Sequence, residues 1–456
     1  MNRDVADFAR LCGGRYNGPS LAWSAVCSDT RSLQPGQLYL ALRGPRFDGN
    51  AFVAQAAAAG AVAAVVDRPG LTADLPLVHV DDVQAALTRA ASGWRSQYPG
   101  VVLGIAGSNG KTTTKEMTAA ILAHSGQCLA THGNLNNHIG VPLTLLRLEL
   151  ADEYAVIEMG ANRAGDVAEL VALAKPHIGV ITNAGAEHLE GFGDLQGVAQ
   201  AEGEMVAGLP VEATAIINAD DDYAALWRSM TSACVVTFGL SAAADFHATD
   251  LIEALEPQGF AQRFTLHTPQ GSAAVRLNVG GRHNVSNALA AAAAAVSAGA
   301  TLQDVVDGLA SLHPVQGRLQ PRLSRHGATL IDDTYNANPD SVRAGIDVVT
   351  GLGSQAWLVL ADMGELGEYA RESHVQVGSY ARAAGITRLF ASGELSRLAV
   401  DAFGSGATWY PDVLAMGAAV DAQLHADICV LVKGSRFNRL ERVVATLTGT
   451  PAPTEH

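Results

Sequence analysis

The chain has 456 residues, 48% hydrophobic and 16% charged, with a formal net charge of −15. At about 150 residues per domain this length predicts three cores rather than one, and the composition excludes a disordered chain. The acid excess argues against a nucleic-acid or anionic-membrane partner, so an anionic substrate must meet locally placed basic side chains. The five cysteines, Cys12, Cys27, Cys128, Cys234 and Cys429, are scattered without a C-x-x-C pair, which gives neither a disulfide framework nor a zinc site. MNRDVADFARL lacks an apolar signal core and the alanine runs are too short or interrupted to span a bilayer. The expectation is a cytoplasmic, monomeric enzyme without membrane insertion.

Residues 1–98 read as a small α/β domain. Pro35-Gly36 makes a turn before the strand-like QLYLAL; RGPRFDGN, a helix from Ala51 to Ala59 closed by Gly60, and the strand AVAAVVD come next. Arg31, Arg43 and Arg46 lie near turns, with Ser28, Asp29, Thr30 and Asn50 as hydrogen-bonding neighbours. Arginine forks suit a diphosphate, although exposed loop arginines are the ordinary alternative. A helix from Asp82 to Gln97 leads to Pro99-Gly100, which marks the boundary.

Residues 99–313 alternate strand and helix, the pattern of a doubly wound, mostly parallel sheet. The first strand runs into Gly107-Ser108-Asn109-Gly110-Lys111-Thr112-Thr113. A tight glycine turn opening a helix is a phosphate cradle: backbone N–H groups face the anion, a lysine adds charge, and the next hydroxyl is placed for Mg²⁺. The long form of this loop has glycine where this chain has Ile105, so the loop is the shorter G-x-x-G-K-T. Asn134, Asn136, Asn137 and His138 form a polar turn, and the strand YAVIEMG ends in Glu158. A carboxylate at the carboxyl end of a parallel strand is placed either to bind Mg²⁺ or to make an ion pair. The next strand ends in Asn183, Glu187, His188 and Glu190. The helix from Leu195 to Leu209 carries Glu202 and Glu204, a pairing that ordinarily marks a solvated face. Residues 260–279 read as an antiparallel hairpin around Pro269-Gln270-Gly271. His283, Asn284 and Asn287 then open an alanine-rich helix, and the two asparagines share a face suited to an adenine edge. Capping would explain Asn284 but not Asn287.

Residues 314–456 form a third alternating unit, with strands ATLIDDTY, AWLVLADM, TRLFAS and DICVLVKGS. Gln316-Gly317-Arg318 precedes it as a hinge carrying a charge, and Pro339 and Asp340 start a helix after DDTYNANPDS.

Taken in order, SDTR with PGQLYLALRGPRFDG, GSNGKTTTKE, GNLNNHIGVPLTLL, EMGANRAGD, NAGAEHLEGFG, GRHNVSNALAAA, DDTYNANPDS and DMGELG resemble the Mur ligase family. These are ATP-dependent amide ligases of peptidoglycan precursor synthesis. DDTYNANPDS is similar to the members that add D-alanyl-D-alanine, and the D-N-P-R motif of the ligases adding the third residue is absent. A folylpolyglutamate synthase is disfavoured by the SDTR…FDG segment.

The resemblance implies an N-terminal domain (1–98) for the UDP end of UDP-N-acetylmuramoyl-tripeptide, a central P-loop ATPase (99–313) and a Rossmann-like C-terminal domain (314–456) for D-alanyl-D-alanine. It implies ATP at Gly107 to Thr113, with Lys111 on the β/γ-phosphates, Asn284 and Asn287 toward adenine, and Asp333 toward ribose. It implies two Mg²⁺ ions held through Thr112, Glu158 and His188, and Arg318 approaching the γ-phosphate from the hinge. Ser28, Thr30, Arg31, Arg43, Asp48 and Asn50 would line the uridine-diphosphate site. Asn134, Asn137, Asn336 and Asn338 are further substrate candidates, the last two toward the dipeptide. One departure stands out. Most members carry A-K-G-E after NAGAEHLEGFG, with a carbamylated lysine near the second metal; here the place reads Ala201-Glu202-Gly203-Glu204. Glu202 is expected to replace the carbamate, directly or through water, without a bicarbonate-dependent modification.

Overall fold

The computed structural model describes residues 3–45, 47–186, 189–256, 259–312, 316–353 and 355–450. Its N-terminal part holds α1 (Val5–Cys12), β1 (Val26–Cys27), β2 (Leu38–Leu40), the ribbon β3 (Arg43–Gly44) and β4 (Phe47–Asp48), α2 (Val53–Ala58), β5 (Ala63–Val66), β6 (Leu77–His79) and α3 (Val83–Arg95). Strands β1-β2-β5-β6 form one parallel sheet. The predicted helix at residues 82–97 is α3, started by Asp82, whose side chain accepts from the Ala85 amide at 2.6 Å. The helix expected from Ala51 begins instead as a 3₁₀ turn at Gly49–Phe52, because Asp48 caps that turn through the Asn50 amide.

α3 is not confined to its own sheet. Trp94 donates from its indole to the Leu148 carbonyl at 3.0 Å, and buried Arg95 donates to the carbonyls of Ala174 (2.7 Å) and Lys175 (3.0 Å). One apolar core accordingly runs from Val5 and Phe8 through Trp94 to Leu145, Leu170 and Met205.

The central part contains β7 (Val101–Ala106), α4 (Lys111–Leu122), β8 (Cys128–Ala130), α5 (Gly140–Leu145), β9 (Tyr154–Glu158), α6 (Asp166–Ala174), β10 (Ile178–Ile181), α7 (Leu189–Phe192), α8 (Leu195–Ala207), β11 (Thr214–Asn218), α9 (Ala224–Met230) and β12 (Cys234–Phe238). Its sheet is parallel throughout, in the order β12-β11-β10-β7-β9-β8. Strands buried on both faces read as continuous apolar runs, as in Ile178–Ile181. The chain leaves β7 toward β8 on one side and later returns to β10 on the other, so β7 sits at the switch point where open α/β sheets bind ligands.

A three-stranded antiparallel sheet comes next, β13 (His247–Glu256), β14 (Gly259–Thr268) and β15 (Gly271–Leu277), before α10 (Arg282–Ser297) and α11 (Leu302–Ser311). The predicted hairpin is its last two strands. β13 escapes a period-two reading because it is a mostly half-buried edge, irregular between Thr249 and Ile252, with Asp250 at φ 56°.

The C-terminal part comprises β16 (Gln320–Leu323), β17 (Thr329–Asp333), α12 (Pro339–Gly351), β18 (Gln355–Ala361), α13 (Ala370–Ala383), β19 (Arg388–Ser392), α14 (Ser396–Phe403), β20 (Ala407–Tyr410), α15 (Val413–Asp421), β21 (Ile428–Lys433) and α16 (Glu441–Thr448). Its sheet order is β16-β17-β21-β18-β19-β20, antiparallel only at β16. The two strands beyond the four expected, β16 and β20, are both edges. β16 contains Pro321, which an edge tolerates and which reads as a strand breaker. α12 starts as expected, with Pro339 in its first turn and Asn338 as a capping-box residue. All five cysteines are free. Among the described residues, no helix is long and apolar enough to cross a membrane.

Candidate active site

The loop between β7 and α4 turns on two glycines with positive φ, Gly107 (124°) and Gly110 (83°). A Cβ on Gly107 would collide with the Thr182 hydroxyl, and one on Gly110 with the Asn287 carboxamide. Protein acceptors hold the first three amides of the loop. Gly107 N–H donates to Glu202 Oε2 (2.6 Å), Ser108 N–H to the Asn183 carbonyl (2.9 Å) and Asn109 N–H to Asn183 Oδ1 (2.9 Å). α4, by contrast, starts at Gly110 with no side-chain cap, so its first turn faces the cleft as an anion site. Lys111 bends back, Nζ donating to the carbonyls of Gly107 and, at 3.0 Å, Ser108.

The cleft has a volume of about 620 Å³. It brings together the predicted Ser108, Asn109, Gly110, Lys111, Thr112, Thr113, Asn134, Glu158, Asn284, Asn287, Arg318, Asp333, Asn336 and Asn338. Gly107 and Glu202 lie behind the loop rather than on the cleft wall, and Asn137 is spent on the amides of Ile139 (3.1 Å) and Gly140 (2.9 Å). His188 and its neighbour Glu187 lie outside the described residues.

Glu158 ends β9, and its Oε1 accepts from Asn136 Nδ2 (2.8 Å) and the Thr112 hydroxyl (3.3 Å). Oε2 is buried without a hydrogen-bond partner. An unsatisfied carboxylate oxygen beside a hydroxyl is a hard-oxygen pair of the kind Mg²⁺ takes, so the residues fit a magnesium ion. From the hinge, Arg318 Nη2 donates to Thr112 Oγ1 at 3.1 Å, while its guanidinium lies 4.2 Å from the Tyr335 ring centroid. A second bridge joins Asn338 Nδ2 to Asn109 Oδ1 at 2.7 Å.

Asn284 Nδ2 donates to the Gly280 carbonyl (2.7 Å), and Asn287 Nδ2 to Asn284 Oδ1 (3.0 Å). This relay fixes the adenine-side candidates and accounts for Asn287, which capping did not. Asp333 ends β17 in a buried ion pair with Lys433 at the end of β21 (2.5 Å) and accepts from the Leu319 amide (3.2 Å). Lys433, Tyr335 and Asn136 are functional candidates that motif reading did not select. The signal available was position, since Lys433 and Tyr335 end or follow strands and Asn136 sits in the polar turn.

The N-terminal candidates form a separate polar net. Arg43 pairs with Asp67 (2.9 Å), Asn50 donates to Asp48 (2.7 Å) and Asp67 (2.8 Å), and Arg68 donates to Asp48 (2.7 Å). Those bonds, Asn50 foremost, hold the Asp48 carboxyl down to about 2. Arg31 pairs within its own turn with Asp29 (2.6 Å), beside Ser28 and Thr30, and Arg46 lies outside the described residues. The two glutamates of α8 do not form the solvated face that such a pairing ordinarily marks. Glu202 is buried on Gly107, and Glu204 accepts from the amides of Gly165 (2.7 Å) and Ala168 (3.0 Å).

Known proteins are similar to this chain in sequence and in fold. Residues 23–95 match the model described as Mur ligase family, catalytic domain, residues 105–295 the Mur ligase middle domain, and residues 317–436 the Mur ligase, glutamate ligase domain. The chain is 44% identical over 447 residues to the UDP-N-acetylmuramoyl-tripeptide–D-alanyl-D-alanine ligase of Escherichia coli, covering 97% of this chain and 98% of that one. The crystal structure of MurF from Acinetobacter baumannii superimposes with a TM-score of 0.91 at 33% identity over 99% of both chains. MurF ligase from Thermotoga maritima, solved in complex with ADP, gives 0.82 at 26% identity over 93% of this chain and 97% of that one. With a phosphate loop, a carboxylate and a hinge arginine meeting in one cleft, and full-length similarity of this degree, the chain belongs to the Mur ligase family.

Proposed function

We infer that this protein is an ATP-dependent amide ligase joining D-alanyl-D-alanine to UDP-N-acetylmuramoyl-tripeptide, with release of ADP and phosphate, in peptidoglycan precursor synthesis. The observation that carries this is the 44% identity, along nearly the whole chain, to the Escherichia coli ligase of that name. We further propose that residues 1–98 hold the UDP end, 99–313 the ATP and 314–456 the dipeptide, and that the enzyme works in the cytoplasm.

The reaction starts with two anions. The tripeptide carboxylate must approach the γ-phosphate of ATP, so positive groups have to screen the approach and hold it in line. In this reading the first turn of α4 and Lys111 take the phosphates, and Arg318, steadied on Tyr335, reaches the γ-phosphate from across the hinge. Thr112 and Glu158 would hold Mg²⁺, with His188 as the proposed ligand of a second ion; the metal supplies neutralisation of triphosphate charge. Asn284 and Asn287, tied to each other, would face adenine, and Asp333, paired with Lys433, would face ribose. The transferred phosphoryl group makes an acyl phosphate. The free amine of D-alanyl-D-alanine then attacks its carbonyl carbon, and the tetrahedral intermediate expels phosphate to leave the amide. Asn336 and Asn338, on the loop after β17, line the cleft and are the side chains proposed for the dipeptide.

The test is phosphate release with purified protein, ATP and Mg²⁺. Release is expected only when UDP-N-acetylmuramoyl-tripeptide and D-alanyl-D-alanine are both present, and release independent of either rejects the ligase reading. Running it with the meso-diaminopimelate and the lysine tripeptides identifies the third residue.

A further inference from the structure

We propose that Glu202 is a positioning residue of the phosphate loop, acting as the hydrogen-bond acceptor that fixes the Gly107 peptide. The proposal rests on reading that loop as the ATP site, and it concerns a residue of α8 that does not line the cleft. The carboxylate is 2% exposed and takes the Gly107 N–H at 2.6 Å. Gly107 has φ +124°, a conformation open to glycine, in a space closed to a Cβ by Thr182. A peptide in that position needs an outside restraint.

The Glu202 bond is the first of three consecutive ones. With Asn183 holding the amides of Ser108 and Asn109, the near half of the loop is closed by protein acceptors. The donors offered to phosphate are then those of the uncapped first turn of α4. The other side of the same residue matters as well, because the Gly107 carbonyl accepts from Lys111 Nζ. Glu202 therefore restrains a residue to which the catalytic lysine is itself anchored. Without the acceptor, a buried N–H is left unsatisfied and the loop must reorganise to find a partner. A shorter acceptor would pull on Gly107. Glutamine, which has an acceptor oxygen at the same reach, would not.

This role differs from that of a group standing in for a carbamate at a metal, since it operates whether or not Mg²⁺ is bound. Calorimetric titration of ADP, once in EDTA and once with Mg²⁺, separates the two. Glu202→Ala is expected to bind ADP at least tenfold more weakly than the parent in both conditions. Glu202→Gln is expected to restore the affinity to within threefold in both. Loss by Glu202→Ala confined to the Mg²⁺ titration overturns the proposal in favour of a metal role, and a Glu202→Gln variant weakened beyond threefold in EDTA overturns it in favour of charge. If Glu202→Ala fails to give the parent's circular dichroism, Glu202→Gln and Glu202→Asp decide: affinity kept by the first and lost at least tenfold by the second supports the acceptor, and any other order rejects it. A parent protein that binds no ADP rejects the ATP-site reading itself, and this proposal with it.

Discussion

Lys111 shows how one side chain can be stored for use. Its ammonium lies on the loop's own carbonyls, within the cleft proposed to take the phosphates. Lys111→Ala is expected to lower kcat/KM by about 10²- to 10³-fold, the effect of removing one fixed donor to developing charge. Initial rates of ADP formation check this. At Gly110, alanine adds about 1–2 kcal/mol of left-handed backbone strain and a collision with Asn287. Gly110→Ala is therefore expected to lose ADP binding in calorimetry while keeping its circular dichroism. Because position 202 holds a glutamate and no lysine amine that bicarbonate could carbamylate, turnover is expected not to respond to added bicarbonate.

Elements carry a second set of consequences. The β17–β21 ion pair lies where the two strands end, with Lys433 almost fully buried. Lys433→Met strands the Asp333 carboxylate, and a loss of about 3–5 kcal/mol is expected in urea unfolding. His374 on α13 supplies a pH dependence. Its Nε2 accepts from the Met363 amide (3.0 Å), its Nδ1 donates to the Ala370 carbonyl (2.6 Å), and burial lowers its pKa. Both bonds belong to the neutral ring, since a proton on Nε2 would face the Met363 N–H. The unfolded chain therefore takes up a proton that the folded one resists. His374 contributes full stability above the ordinary histidine range, and this falls as pH drops from there toward the folded value. Urea midpoints measured from pH 8 to pH 5 are expected to fall more steeply for the parent than for His374→Gln.

At the scale of the molecule, two side-chain bonds tie the phosphate loop to the chain beyond the hinge, Arg318 to Thr112 and Asn338 to Asn109. The Asn338 side chain also caps α12 by accepting from the Ser341 N–H (2.8 Å). The C-terminal part and the loop proposed to hold the nucleotide thus meet through these few side chains, all of which line the cleft. Arg318→Ala is expected to lower kcat more than it raises KM for UDP-N-acetylmuramoyl-tripeptide, because the proposed function sets the arginine, hydrogen-bonded to Thr112, against the γ-phosphate and not the uridine end. Steady-state kinetics with that substrate varied distinguishes this from a general loss of binding. The shared core beneath α3 also means that the first 98 residues are packed onto the central part through Trp94 and Arg95 rather than tethered to it.

Local chemistry was readable without coordinates wherever one stretch of chain supplied it. The apolar run into Gly107, the turn to Gly110 and the helix from Lys111 are contiguous, so the phosphate loop was legible despite Ile105. The buried parallel strands were legible for the same reason, since burial on both faces writes an unbroken apolar run. Edges were not. β13, β16 and β20 have few buried positions, and in β16 a proline that looks like a breaker. Nor could a motif say where a side chain ends up when its partner comes from elsewhere in the chain. Asn136 and Asn137 are neighbours with opposite fates, one reaching Glu158 and the other holding a turn. For Glu202, a solvated or metal-side carboxylate by its motif, only the fold showed that α8 sets it against an amide 95 residues away. The sequence by itself determined which groups could bind phosphate and cations. Only the tertiary structure decided which of them face the cleft and which hold the others in place, because hydrogen-bond partners are assigned by packing and not by order along the chain.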